Sequence, residues 1–134
     1  TLLTDTEVIT YMIDYLVRRQ GLSFEEAAQV IAAPFWSTID RMDETDRRRI
    51  TYLRSVFSSL LITGPFSILV GFDGGLMALN DRLKLRSMVV AEHGKRVYIA
   101  SEECAIRAVD PDVTRVWAPQ GGEPVIVRLE EGAC

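Results

Sequence analysis

The side chains with the greatest chemical reactivity are few and widely spaced. His93 is the single histidine, and it has no second imidazole or thiol at a spacing suited to metal binding. Cys104 and Cys134 are the two cysteines, and they form no Cys-x-x-Cys pair. We therefore expect His93 in a solvated turn, Cys104 as an inert, buried thiol in a short helix, and Cys134 at a frayed end. These residues predict neither a metal site nor a cofactor.

Two other stretches resemble binding motifs only superficially. Asp73-Gly74-Gly75 lacks the following helix and the Gly-Lys-Ser/Thr ending of a phosphate-binding loop, so it predicts a hairpin turn. Arg47-Arg48-Arg49 is balanced by Asp43, Glu44 and Asp46, which favours an exposed helix face over an anion site.

Asp5 is the remaining candidate. It follows Thr4 in a capping box, in which the Thr4 hydroxyl bonds a backbone amide of the first turn and Glu7 reaches back to the cap. Taken alone, Asp5 is an acidic residue in the first turn of a helix, where the helix dipole stabilises it.

The first half of the chain has the apolar spacing of helices that bury one face. Capping boxes at 4–7 and 23–26 predict two helix starts, and Pro34 stops the second helix. A third helix is predicted from about Thr45 to Leu61. The first helix is expected to bury an apolar stripe: Val8, Met12, Tyr15 and Leu16, widened by Ile9 and Ile13.

From Gly64-Pro65 onward the period changes to that of strands. A short helical turn is predicted near 102–108. The predicted strands are 66–72, 76–79, 86–91, 97–100, 113–117 and 124–129. Together the two halves predict an α+β chain, helical over 4–62, with a meander of antiparallel strands over 65–130.

Composition limits the class of protein. The 134 residues suffice for one domain, and 15 basic against 19 acidic residues leave a net charge of −4. That charge gives no attraction to nucleic acid or anionic lipid, and no apolar run approaches a membrane span. We expect a soluble, cytoplasmic protein that binds neither nucleic acid nor membrane. The opening residues Thr1-Leu2-Leu3 look like the tail of a strand, which predicts a piece of a longer protein.

Several segments, in this order, resemble class II glutamine amidotransferase domains, the N-terminal-nucleophile glutaminases that supply ammonia to enzymes such as glutamate synthase and amidophosphoribosyltransferase. Residues 4–9, Thr-Asp-Thr-Glu-Val-Ile, are similar to the family's Ser/Thr-Asp-Thr/Ser-Glu segment. Residues 64–68 and 78–86 resemble its Gly-Ala/Pro-Tyr/Phe-Ala strand and its Ala-Leu-Arg-Asp-Pro-x-Gly-Ile-Arg-Pro-Leu hairpin. Residues 98–102 resemble its strand-ending Ala-Ser-Glu, and 122–125 resemble the Pro-Gly-Glu turn.

The resemblance implies a fold and a position within it. The fold is part of the four-layer αββα sandwich of N-terminal-nucleophile hydrolases, with two antiparallel sheets and helices outside. Residues 1–134 are then the C-terminal part of a single glutaminase domain. Asn80, Lys84 and Ser87 replace the usual Arg, Gly and Pro, which points away from the amidophosphoribosyltransferase branch and favours a divergent branch similar to glutamate synthase.

The implied activity is hydrolysis of glutamine to glutamate and ammonia. In the family an N-terminal cysteine attacks the carboxamide beside an oxyanion hole, and a glutamyl thioester forms and is hydrolysed. Neither that cysteine nor the oxyanion donors are in this chain, so we expect the chain alone to be inactive. The implied partners are glutamine, the upstream half of the same domain, and a synthase domain or subunit that accepts ammonia.

Asp5 is the one site residue that the resemblance implies, and no catalytic residue is assigned. The family's matching Asp pairs with the α-ammonium group of the substrate, an interaction that forms a charge-assisted hydrogen bond. Two alternatives remain open. Thr1 could be a true N-terminal nucleophile, although it lies close to the Asp5 segment, or the chain could be a non-catalytic interaction or regulatory domain that keeps the scaffold.

Overall fold

A computed structural model describes residues 4–129. The chain divides into two compact units, Thr1–Gly64 and Pro65–Cys134. The division falls where the sequence changes from helical to strand periodicity, at Gly64-Pro65.

The first unit is helical in its described part. Two of its helices begin at polar caps that the sequence predicts: the Thr4 hydroxyl accepts from the Glu7 amide, and Ser23 and Glu26 form a complete capping box. Asp43 caps a further helix by accepting from two backbone amides. The helices are α1 (Asp5–Asp14), α2 (Phe24–Ile31), α3 (Trp36–Ile39) and α4 (Glu44–Val56), with a π-helical turn (Tyr15–Arg19) after α1 and a 3-10 turn (Ser58–Leu60) after α4.

The buried face of the first helix differs from the expected one. Ile9, Ile13 and Leu16 are buried at a spacing of four and three residues, whereas Val8 and Tyr15 are exposed by 38% and 42%. Both sets fit helical periodicity, so spacing alone could not decide between them. The expected stripe was therefore wrong in placing Val8 and Tyr15 in the core.

The third predicted helix is shorter than expected at its C-terminal end. α4 ends at Val56, and Phe57 adopts a non-helical conformation with φ −108° and ψ 25°. Ile50 and Leu53 are buried, but Val56 is exposed. The sequence did not predict α3, whose four residues are too few to show a period.

The second unit contains two three-stranded antiparallel sheets. The first sheet has the order β1 (Ser67–Phe72), β2 (Gly75–Asn80), β6 (Val125–Arg128). The second has the order β4 (Arg96–Ala100), β3 (Val89–His93), β5 (Arg115–Trp117). Helix α5 (Glu103–Val109) lies between β4 and β5 in the chain.

The strands do not form one continuous meander, which corrects the expectation. β5 returns to β3, and β6 returns to β2, where Gly75 to Ala78 pair with Arg128 to Val125. Both β-hairpins were predicted, since Asp73-Gly74 and Gly94-Lys95 are the tight turns that the residue types favour. The strand expected at 86–91 runs instead from Val89 to His93. An α+β fold is confirmed, and the four-layer sandwich stays a prediction.

Candidate functional site

Three of the family-like segments meet at one end of the first sheet. Ser67 is the cross-strand partner of Asn80, and the Asp81 amide donates to the Phe66 carbonyl at 2.9 Å. The Gly122 amide donates to the Asn80 carbonyl at 3.2 Å. Residues 64–68, 78–86 and 122–125 are thus joined by backbone hydrogen bonds.

Asp81 fixes the loop that leaves this end of the sheet, residues 81–86, which we call the Asp81 loop. Its carboxylate is 2% exposed and accepts from the backbone amides of Leu83, Leu85 and Arg86 at 3.0 to 3.1 Å. Burial acts to raise the pKa of the Asp81 carboxyl, but these amides, with that of Leu85 foremost, lower the pKa below its ordinary value. The loop is therefore built around an ionised carboxylate.

The turn at 121–122 packs tightly against the Asp81 loop. A Cβ added to Gly121 would lie 2.5 Å from the Arg82 carbonyl oxygen, so only glycine fits there. The outer side of the loop presents Leu83 and Leu85, which are 53% and 61% exposed. A rigid loop thus displays two leucines to its surroundings.

Asn80 is buried beside this loop. Its Nδ2 donates to the Arg86 carbonyl at 3.4 Å, and its Oδ1 has no hydrogen-bond partner among residues 4–129. A buried amide oxygen without a donor costs about 1–3 kcal/mol. Asn80 is also one of the positions at which the chain departs from the family pattern.

The family-like segment 98–102 lines one side of a small groove of about 160 Å³, and Ser67 and Leu69 of β1 line the other side. The groove has apolar walls and two serine hydroxyls, and no charged side chain lines it. Its lining residues are Ser67 and Leu69 of β1, Met88, and Ile99, Ala100 and Ser101 at the end of β4. The groove therefore suits a small, neutral or apolar group.

Asp5 lies at the start of α1 in the first unit, as the sequence predicts. Its Oδ1 accepts from the Thr6 amide at 2.8 Å and from the Thr6 hydroxyl at 3.4 Å. The residue is exposed, and within residues 4–129 its carboxylate forms no ion pair. Asp5 is thus an oriented carboxylate that no described cation neutralises.

His93 is not the solvated turn residue that we expected. It ends β3, and its Nδ1 lies 2.8 Å from Oδ2 of Asp110. The Tyr98 hydroxyl donates to the same oxygen at 2.9 Å, and the Asp112 amide donates to Oδ1 at 3.1 Å. The hydrogen bonds from His93 and Tyr98 lower the pKa of the Asp110 carboxyl, and burial opposes them. An ionised Asp110 only accepts hydrogen bonds, so the proton between the pair belongs to His93 Nδ1.

No pattern in the sequence predicts this cluster. Asp110 is separated from its partners by 17 and 12 residues, and no helix or strand spacing links them. The contact between Asp110 and His93 depends on how α5 packs, which the sequence pattern does not show.

Cys104 is exposed, so the expectation of a buried thiol was wrong. It lies in the first turn of α5, where only Ile106 faces the core. Its Sγ lies 3.2 Å from a Glu102 carboxylate oxygen, and this hydrogen bond, with the negative charge of Glu102, raises the pKa of the thiol. A raised pKa disfavours the reactive thiolate. Thr1 and Cys134, which entered the sequence-based hypotheses, lie outside the described residues.

The arginine run is exposed, as expected, and carries local ion pairs. Arg48 pairs with Glu44, and Arg49 pairs with Asp46 at 3.4 Å.

Between Thr4 and Leu129 no three His, Cys, Asp or Glu side chains are grouped so as to hold a metal ion. Over the same residues no helix combines the length and apolar character needed to cross a membrane.

No known family model matches the chain, and no solved structure matches it. An uncharacterized protein of Archaeoglobus fulgidus is 48% identical over 130 residues, which are 97% of this chain and 34% of that protein. An amidophosphoribosyltransferase of Methanocaldococcus jannaschii is 27% identical over 71 residues, which are 53% of this chain and 14% of that enzyme. The chain thus spans about a third of the first relative and a smaller part of the second.

These comparisons support only a coarse conclusion. The second relative is an enzyme of the class that the family-like segments indicate, so the chain has a distant likeness to a glutamine amidotransferase. The narrower resemblance to glutamate synthase stays a prediction.

Proposed function

We propose that the chain is the C-terminal portion of a class II glutaminase domain, which releases ammonia from glutamine for a synthase domain or subunit. The observation that carries the proposal is the meeting of segments 64–68, 78–86 and 122–125 at the Asp81 loop. Each of these segments resembles the family separately, and the segments lie apart in the sequence. In the structure they form a single hydrogen-bonded unit. The distant likeness to an amidophosphoribosyltransferase supports the same class.

In this function Asp5 binds the α-ammonium group of glutamine. Its carboxylate is exposed, oriented by Thr6 and unpaired with any cation in residues 4–129. The N-terminal end of α1 stabilises its negative charge. An ammonium group would supply the missing counter-charge and form a charge-assisted hydrogen bond.

The test uses the complete domain, meaning this chain with the upstream half that would supply the nucleophile. Asp5→Asn keeps a helix-starting side chain but removes the charge. A charge pair broken on one side costs about 2–5 kcal/mol, so kcat/KM for glutamine should fall roughly 30- to several-thousand-fold. Glutamate release is measured against glutamine concentration.

Glu7→Gln is the matched control, because it removes a negative charge from the same helical turn and leaves Asp5 intact. Its glutamine kinetics should remain close to wild type, and both variants should unfold at similar temperatures. If Asp5→Asn lowers the melting temperature but leaves glutamine kinetics unchanged, Asp5 is a helix-start residue and the proposed role fails.

A non-catalytic interaction domain is the second candidate. It is favoured by the exposure of Leu83 and Leu85 on a loop that Asp81 holds rigid. If the complete domain releases no glutamate from glutamine, while Leu83→Ser with Leu85→Ser weakens its assembly with the rest of the protein, this second function replaces the first.

A further inference from the structure

Helix α5 is attached to the second sheet by very little apolar surface. Of its seven residues only Ile106 is buried, and Val109 is 75% exposed. Ile106 packs into a small cluster with the buried residues Ala91 and Val113, and four partly buried residues border it: Val89, Tyr98, Ala100 and Val116. One buried side chain contributes too little to hold a short helix in place, because the energy of docking follows the buried apolar area.

A polar contact supplies the second attachment. Asp110 caps the C-terminal end of α5, and its Oδ2 accepts from His93 of β3 and Tyr98 of β4. We call these three side chains the Asp110 clasp. The cross-strand register places His93 and Tyr98 on the same face of the sheet as Ala91, so the clasp and the Ile106 cluster lie on one side.

The other polar contacts of α5 do not reach the sheet. Arg107 pairs with Glu103 of the same helix at 2.6 Å and donates to the Pro111 carbonyl at 3.3 Å. Cys104 bonds to Glu102, the residue that precedes the helix. Within residues 4–129 the Asp110 clasp is therefore the only side-chain hydrogen bonding between the end of α5 and the sheet.

We propose that α5 is a releasable flap on the second sheet, held closed by the Asp110 clasp. Release uncovers Ala91 and Val113 and frees the segment at Ser101, two residues before α5, which borders the groove. Opening of such a segment costs less than global unfolding, because it breaks few buried contacts. The clasp thereby couples a buried carboxylate to the rim of the candidate site.

Native-state hydrogen exchange of the whole chain tests the proposal. Asp110→Asn keeps the side-chain shape and removes the charge, so exchange at the amides of residues 107–110 should accelerate about tenfold or more. Tyr98→Phe removes one hydroxyl and should accelerate the same amides about fivefold. The β2 amides, which are paired on both sides of the strand, report global unfolding. In wild type the amides of residues 107–110 should exchange with a lower opening free energy and a smaller dependence on urea than the β2 amides, because release of the flap exposes less surface.

Asp112→Asn is the matched control, because Asp112 joins the clasp only through its backbone amide. It removes a charge two residues away and should leave exchange in α5 as in wild type. The proposal fails if Asp110→Asn and Tyr98→Phe leave α5 exchange unchanged, or if the wild-type α5 amides open with the same free energy and the same urea dependence as the β2 amides. Tyr98→Phe keeps the test valid if Asp110→Asn does not fold.

Discussion

The Nδ1 atom of His93 and the Oδ2 atom of Asp110 lie 2.8 Å apart and join the end of β3 to the end of α5. Because this bond and that of Tyr98 stabilise the ionised carboxylate, the pKa of Asp110 lies below its ordinary value of 3.8. A carboxyl group with a lowered pKa contributes stability above its unfolded-state pKa. That contribution is lost as the pH falls through the lower, folded-state pKa.

The first prediction concerns this acid dependence. Asp110→Asn removes the titrating group, so its free energy of unfolding should fall less steeply than that of wild type as the pH decreases below about 4. Urea unfolding at a series of pH values from about 2 to 6 measures the slope. Asp81, whose pKa is also lowered, leaves some acid dependence in the variant. Identical slopes for wild type and Asp110→Asn would contradict the assignment.

The second prediction concerns the Asp81 loop. Asp81→Ala leaves the amides of Leu83, Leu85 and Arg86 without their acceptor and should destabilise the chain by about 2–4 kcal/mol. The midpoint of urea unfolding measures the loss. Asp73→Asn is the control, because it removes an exposed charge while keeping a residue type that favours the Gly74 turn. Equal midpoints in the two variants would show that Asp81 does not organise the loop.

The third prediction concerns close packing at Gly121. Gly121→Ala places a Cβ 2.5 Å from the backbone oxygen of Arg82, which cannot move without displacing the loop, so stability should fall by about 1–3 kcal/mol. Gly71→Ala, in β1, meets nothing within 4 Å and should be nearly neutral. Thermal unfolding compares the two variants. A neutral Gly121→Ala would mean that the turn is free to separate from the loop.

The fourth prediction is that the 134-residue chain alone releases no glutamate from glutamine. Its described cysteine, Cys104, is exposed, but its pKa is raised by Glu102, so little thiolate is available to attack a carboxamide. A coupled glutamate assay on the purified chain measures the rate. Activity that disappears on alkylation, or in Cys104→Ser, would overturn both this prediction and the expectation of an upstream nucleophile.

Local signals in the sequence predicted the local structure. Ser23 and Glu26 form their capping box, and Asp73-Gly74 forms its hairpin turn, because each depends on residues at most three positions apart. The sequence pattern did not determine which face of α1 is buried, because Val8 and Ile9 both fit the apolar spacing of a helix. Contacts between distant residues were not predicted. The pairing of β6 with β2 and the hydrogen bond between His93 and Asp110 depend on tertiary packing, which residue spacing does not reveal.

At the candidate site, too, local features were predicted and contacts between distant residues were not. Asp5 was placed correctly at a helix start, because its cap is local. The meeting of Ser67 and Ser101 at one groove depends on two different sheets and could not be read from either segment.

Lys84 has a φ of 55°, in the left-handed region that disfavours side chains and favours glycine. In the glutamine amidotransferase pattern that residues 78–86 resemble, this position is a glycine. The conformational cost of this backbone at a residue other than glycine is offset by the hydrogen bonds that Asp81 accepts on either side of it, from Leu83 and Leu85. Asp81 therefore holds position 84 in a conformation that the residue at that position does not itself favour.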